Sequence, residues 1–159
     1  MGKSFAVELL QELADSDDDI RPVKTFAQYG ITAINIRGAT LSSIIKQPIP
    51  EKDEHNTKLV VLNAKTLSEF CEQLEYYPND RRKSISLIVI DEISTVSPVT
   101  LAVFNARLKQ ATGVDAPFGG IPILFVGDFC QLPPVGSVSI AQGIMELKIA
   151  DDKFEACVN

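Results

Sequence analysis

Leu87-Ile88-Val89-Ile90-Asp91-Glu92 is the stretch on which the fold turns: four apolar residues without interruption, preceded by Ile85, then two acids. A strand with one wet face alternates apolar and polar residues. An unbroken apolar run fits a strand buried on both faces, as in a parallel sheet with helices on either side. The reading is a strand from Ile85 to Ile90. A second apolar stretch, Ile121 to Val126, reads the same way and ends at Gly127-Asp128. In open α/β sheets ligands gather beyond the carboxyl ends of the strands, so acids at both ends point to a site. A carboxylate there can hold Mg²⁺, usually through water, and its neighbour can take a proton from an attacking water. The natural assignment is Asp91 to metal and Glu92 to base. Acids at strand ends are also ordinary exposed turn residues, and the pair by itself leaves both readings open.

Outward from this strand, Ser97-Pro98 is a helix start, because the hydroxyl can cap orphan amides and proline suits the first helical position. Gly113 is a suitable stop. Leu101, Phe104, Leu108 and Ala111 keep one face apolar, and Arg107 and Lys109 lie toward the negative end of the helix dipole. Toward the amino terminus, Phe5, Val7, Leu9, Leu10 and Leu13 fit a buried helix ended by the acidic block Asp15 to Asp19. Val23 to Ala27 reads as a short strand and Ile31 to Ile36 as a short helix closed by Gly38, with a second helical turn from Leu41. Gln47 to Asn56 and Pro78 to Lys83 read as loops, and Leu59 to Leu74 as largely helical. The order helix, strand, helices, strand, helix, strand is that of an α/β fold with a mostly parallel sheet.

The 159 residues suffice for one domain with a real core. Apolar residues make up 45% and charged residues 23%, the balance of a globular protein rather than a disordered one. No run approaches the roughly 20 apolar residues of a membrane helix, and the first residues lack a signal-peptide pattern, so an intracellular protein without membrane partners is expected. Cys71, Cys130 and Cys157 are odd in number and form no CxxC pair, which argues against disulfides and zinc and for reduced, buried thiols. A net charge of −6 argues against nucleic-acid binding through bulk positive charge. Any DNA contact must be local.

Gly2-Lys3-Ser4 ahead of a helix matches the end of the phosphate loop GxxxxGK[ST], in which the lysine reaches the β- and γ-phosphates and the hydroxyl binds Mg²⁺. Three residues alone recur by chance. Their conjunction with an acidic strand end gives them weight. In Gly127-Asp128-Phe129-Cys130-Gln131-Leu132-Pro133-Pro134 a strand runs into a loop stiffened by two prolines, which holds Gln131 in a fixed place. A neutral amide there can donate to a γ-phosphate oxygen or orient water; a proline-rich turn with an incidental glutamine is the bland alternative.

Together these residues resemble the petite-integration-frequency (Pif) family of superfamily-one DNA helicases over nearly the whole chain. Gly2-Lys3-Ser4 matches the end of the family's Walker A motif. Asp91 to Ser97 matches its DEIS motif, with Thr95 where Met is usual, and Gly127 to Val135 matches GDFxQLPPV, the most specific of the three. Pro117-Phe118-Gly119-Gly120-Ile121 looks like the family's lead-in to that strand. Gly30 to Ser43 resembles the DNA-facing motif TGxAAxNIxGxTLHS, with Tyr29 in place of the leading Thr and Ser42 in place of His.

The resemblance implies a RecA-like P-loop NTPase fold with helices on both faces of the sheet, and a parent protein that uses ATP and Mg²⁺. That parent would move 5′-to-3′ along single-stranded DNA and open duplex junctions in genome maintenance, in repair, recombination and at telomeres. In a eukaryote it would work in the nucleus or mitochondrion. By position, Gly2, Lys3 and Ser4 would hold phosphate and metal, Asp91 metal, Glu92 the attacking water and Gln131 the γ-phosphate. Thr40 and Ser43 would touch DNA phosphates, though a capped turn between two short helices accounts for them equally well. Residues 1–159 would be a partial first motor domain, lacking its first strand and the second RecA-like domain, and so weak or inactive alone. A RecD-like or transposon-encoded helicase and a non-catalytic remnant that only binds a partner are the competing readings.

Overall fold

The computed structural model describes residues 2–16, 21–45, 61–80, 83–131 and 133–142, without the side chain of Ser4. Its elements are α1 (Gly2–Ser16), β1 (Val23–Ala27), α2 (Gly30–Asn35), β2 (Ala39–Thr40), α3 (Leu41–Ile45), α4 (Ala64–Leu74), β3 (Leu87–Asp91), α5 (Pro98–Thr112) and β4 (Ile123–Phe125). The four strands form one sheet in the order β2-β1-β3-β4, every pair parallel. The loop expected from Gln47 to Asn56, the start of the helix expected from Leu59, and Cys157 lie outside the described residues.

The unbroken apolar run of β3 does what its composition requires. Ile88 and Ile90 pack with Phe26, Leu41, Ile44, Phe70, Phe104 and Leu108, so α3, α4 and α5 cover one face of the sheet. Val89, between them in sequence, packs with Val7, Ala27, Ala33 and Ile36, which brings α1 and α2 onto the other. Successive side chains of a strand point to opposite faces, so only a run without polar interruptions can fill both. Helices on both faces of a parallel sheet are the architecture expected from the sequence.

Local chemistry sets the helix ends. Ser97 caps α5, its hydroxyl accepting from the Thr100 amide at 3.1 Å, Pro98 opens the helix, and Gly113 ends it at φ 70°. Asn63 caps α4, its side chain accepting from the Thr66 amide at 3.0 Å. Gly38 closes α2 as expected, its amide donating to the Ala33 carbonyl at 2.8 Å while the Arg37 amide donates to the Ile34 carbonyl at 3.1 Å, and it serves a second need as well. A Cβ at that position would lie 2.4 Å from the Thr25 carbonyl oxygen, so the close approach of the chain to β1 demands glycine.

Several expectations need correction. In α1, Val7 is buried, whereas Phe5, Leu9 and Leu13 are exposed, Phe5 by 67%. Those three share an i, i+4, i+8 face. In β4, Leu124 and Phe125 are exposed rather than buried, because β4 is the outermost strand of the described sheet and has a partner on one side only. Arg107 lies toward the carboxyl end of α5, as expected. It is fully buried, its Nε donates to the Ile45 carbonyl at 3.3 Å, and its Nη1 donates to Gln110 Oε1 at 3.1 Å. Burial draws its pKa below the ordinary arginine value. Lys109, by contrast, stays at the surface and pairs with Asp115 at 2.6 Å. Of the thiols, Cys71 is half-buried, which pushes its pKa up, but Cys130 is exposed. Among the described residues no helix is long and apolar enough to cross a membrane.

Candidate functional site

The parallel register brings the carboxyl ends of the strands to one edge. Ala27 of β1 lies beside Thr40 of β2 and Asp91 of β3, and Ile90 lies beside Phe125 of β4. The acids of the opening stretch therefore sit at the edge where ligands bind in open α/β sheets.

Asp91 is 2% exposed. Its Oδ1 accepts from the amide of Glu92 at 2.8 Å, an arrangement that orients the carboxylate and leaves Oδ2 for another partner. Glu92 turns the chain out of the sheet with left-handed backbone angles, φ 50° and ψ 48°. For a residue with a Cβ that conformation is costly, about 1 kcal/mol or more, and its surroundings must hold it. Both sides of the turn are held. The Glu92 carbonyl accepts from the Thr95 amide at 2.9 Å and from the Thr95 hydroxyl at 2.8 Å, and the next amide, Ile93, donates to the Val126 carbonyl at 3.0 Å. Gly127 packs so tightly against this turn that a Cβ there would come within 2.9 Å of the Ile93 nitrogen.

Lys3, in the first turn of α1, meets Glu92 across the site: its Nζ stands 3.7 Å from Glu92 Oε1. Among the described residues that ammonium makes no hydrogen bond. Gly2 occupies the same turn and is exposed; the Ser4 hydroxyl, a sequence candidate for metal, lies outside what is described. No three His, Cys, Asp or Glu side chains cluster among the described residues, so a divalent ion here would depend on Asp91, water and ligand oxygens. A buried carboxylate beside an ammonium that lacks acceptors fits a metal–phosphate ligand, whose negative oxygens would satisfy both the cation and the metal.

Beyond β4 the chain turns at Asp128, whose Oδ1 accepts from the Cys130 amide at 2.9 Å and whose carbonyl accepts from the Gln131 amide at 3.0 Å. Asp128, the second strand-end acid, thus stabilises a turn. The Gln131 side chain is exposed, and among the described residues no hydrogen bond joins it to Lys3. Thr40 and Ser43 cap α3: the Thr40 hydroxyl accepts from the Ser43 amide at 3.2 Å, and the Ser43 hydroxyl donates to the Thr40 carbonyl at 2.7 Å. This is the capped turn that the sequence offered beside a DNA contact. Of the sequence candidates, then, the structure joins Lys3 with Glu92, next to Asp91, and leaves Gln131, Thr40 and Ser43 apart from them. Sequence reasoning missed Thr95 and Gly127 as supports of the Glu92 turn. The departure from Met at position 95 was the available signal for the first.

A family model for PIF1-like helicases matches residues 1–154. The ATP-dependent DNA helicase Pif1 of Psychrobacter sp. (strain PRwf-1) is 38% identical over 120 residues, 73% of this chain and 16% of that protein. The ATP-dependent DNA helicase PIF1 of Xenopus laevis is 31% identical over 142 residues, 87% of this chain and 19% of its own length. The chain therefore spans less than a fifth of these two relatives. Among solved structures, Bacteroides Pif1 bound to single-stranded DNA aligns with a TM-score of 0.62 at 27% identity, over 94% of this chain and 30% of that one. Bacteroides Pif1 in complex with ADP-AlF3 and single-stranded DNA aligns with a TM-score of 0.63 at the same identity and coverage. The match across residues 1–154, on the parallel sheet and the site just described, shows that the chain belongs to the PIF1-like helicase family.

Proposed function

We propose that residues 1–159 form part of the first RecA-like motor domain of an ATP-dependent DNA helicase that moves 5′-to-3′ on single-stranded DNA and opens duplex junctions. A second motor domain would lie elsewhere in the gene product. The observation that carries this reading is the approach of Lys3 to Glu92 beside the buried Asp91. In a eukaryotic cell the work would lie in the nucleus or mitochondrion, where the DNA is.

Each residue has a role that its chemistry supports. The Lys3 ammonium donates to β- and γ-phosphate oxygens, and the Gly2 amide, in the first turn of α1, is a donor at the same end of the helix. Mg²⁺, held through Asp91 and the Ser4 hydroxyl, would neutralise charge on the phosphates. With one oxygen fixed by the Glu92 amide, Asp91 presents the other in a constant direction. The Glu92 carboxylate accepts the proton of the attacking water, and its rigid turn keeps it in place for that step. Gln131, on its exposed loop, would donate to the γ-phosphate. Ser43, exposed at the start of α3, and Thr40, half-buried at the end of β2, would offer their hydroxyls to a DNA backbone.

The test is ATP hydrolysis by the complete gene product with and without single-stranded DNA. The reading expects DNA-stimulated turnover that Glu92→Gln reduces by at least about a hundredfold, the range for loss of a general base. Turnover indifferent to that substitution would refute it.

A further inference from the structure

A lysine at a protein surface ordinarily buries its aliphatic stem and keeps its ammonium in water. Lys3 does the reverse. Its side chain is 37% exposed, yet Nζ itself is shut off from solvent and has no hydrogen-bond partner among the described residues. A sealed ammonium with three unused donors is unfavourable unless an anion compensates it. The anion it faces is Glu92 Oε1 at 3.7 Å, beyond hydrogen-bond range, on a side chain that is 27% exposed. Charge is balanced there, but the donors are not. The left-handed turn at Glu92, pinned by Thr95, fixes where that side chain leaves the backbone.

We propose that this ion pair is a lock that nucleotide opens. Without nucleotide, Lys3 neutralises Glu92 and keeps the base engaged. Phosphate oxygens offer the ammonium more charge and the hydrogen bonds it lacks, so binding transfers Lys3 from Glu92 to phosphate and frees the carboxylate for water. The inference rests on the reading of Lys3 as a phosphate ligand. It adds that the pair restrains the base until phosphate displaces it, and that nucleotide affinity includes the cost of breaking the pair.

Two measurements on the complete gene product test it. The first is the rate at which an amine-reactive acylating reagent modifies Lys3 without nucleotide, read by mass spectrometry against the exposed Lys83. The pair shields Lys3, so Glu92→Gln is expected to raise that rate relative to Lys83 by about two- to fivefold, the range for a partly exposed ion pair. The second is the affinity for ADP, which the same substitution should tighten by a similar factor. If either quantity is unchanged in Glu92→Gln, the lock is overturned. If ADP fails to protect Lys3 of the unsubstituted protein from acylation, the phosphate-site reading falls and the lock with it, an outcome distinct from the other two.

Discussion

Gly127 lies against the backbone of Ile93, and a Cβ at that glycine would stand 2.9 Å from both the Ile93 nitrogen and its Cγ2. That nitrogen donates to the carbonyl of Val126, immediately before the glycine. The contact therefore binds the loop leaving β4 to the turn that carries Glu92. Gly127→Ala must push the two apart. The expected result is a loss of about 1 to 3 kcal/mol in stability, the usual penalty for overpacking, with a fall in ATP turnover of the complete gene product larger than any change in KM. Denaturant unfolding and steady-state kinetics check the two halves separately.

Thr95 provides a second hold on the same turn through its hydroxyl bond to the Glu92 carbonyl. Thr95→Val keeps the branched shape and removes the donor, and should cost about 1 kcal/mol, the net worth of one such hydrogen bond. Thr95→Ser should recover at least half of that loss. Equal unfolding midpoints for the valine and serine variants would show that the hydroxyl does not hold the turn.

The outer position of β4 bears on what the chain can do alone. Leu124 and Phe125 are exposed there, as are Phe5 and Leu9 on α1, which also carries Lys3. Unpaired strand edges and apolar faces of this kind are poor foundations for a phosphate site. Purified as it stands, the 159-residue chain is expected to bind ATP weakly and to show little or no DNA-stimulated hydrolysis. Robust turnover by the isolated chain, abolished by Glu92→Gln, would contradict this.

Asp115 supplies a pH dependence. Its hydrogen bond and ion pair with Lys109 hold the carboxyl below its ordinary pKa of 3.8. A depressed folded-state value means that the stabilisation is present above the unfolded pKa and is lost as pH falls through the lower folded value. Asp115→Asn should therefore lower the unfolding midpoint slightly at neutral pH and leave it unchanged in strong acid, where both proteins are uncharged at that position. The group is fully exposed, so added salt should shrink the neutral-pH difference.

Much of the fold follows from near-neighbour chemistry written along the chain. The unbroken run from Leu87 to Ile90 required a strand buried on both faces, and Ser97-Pro98 with Gly113 marked both ends of α5. Periodicity and capping depend on residues a few positions apart, so a sequence carries them in full. The same holds for the order of acids and turns at Asp91, Glu92 and Gly127.

Only the tertiary structure decided what depends on residues far apart in sequence. The apolar pattern of α1 admitted several faces, and contact with β1 and β3 chose the one bearing Val7, leaving Phe5, Leu9 and Leu13 outside. The run leading into Gly127 looked buried, but its place at the margin of the described sheet exposed Leu124 and Phe125. The burial of Arg107 likewise depends on tertiary contact, its guanidinium donating to the carbonyl at the end of α3. The Lys3 to Glu92 pair spans 89 positions and exists only because the parallel sheet sets the start of α1 above the end of β3. Sequence determined which residues carry charge and how each segment folds. Packing of the two helical layers determined which charges meet, because burial and long-range contact are properties of the whole chain.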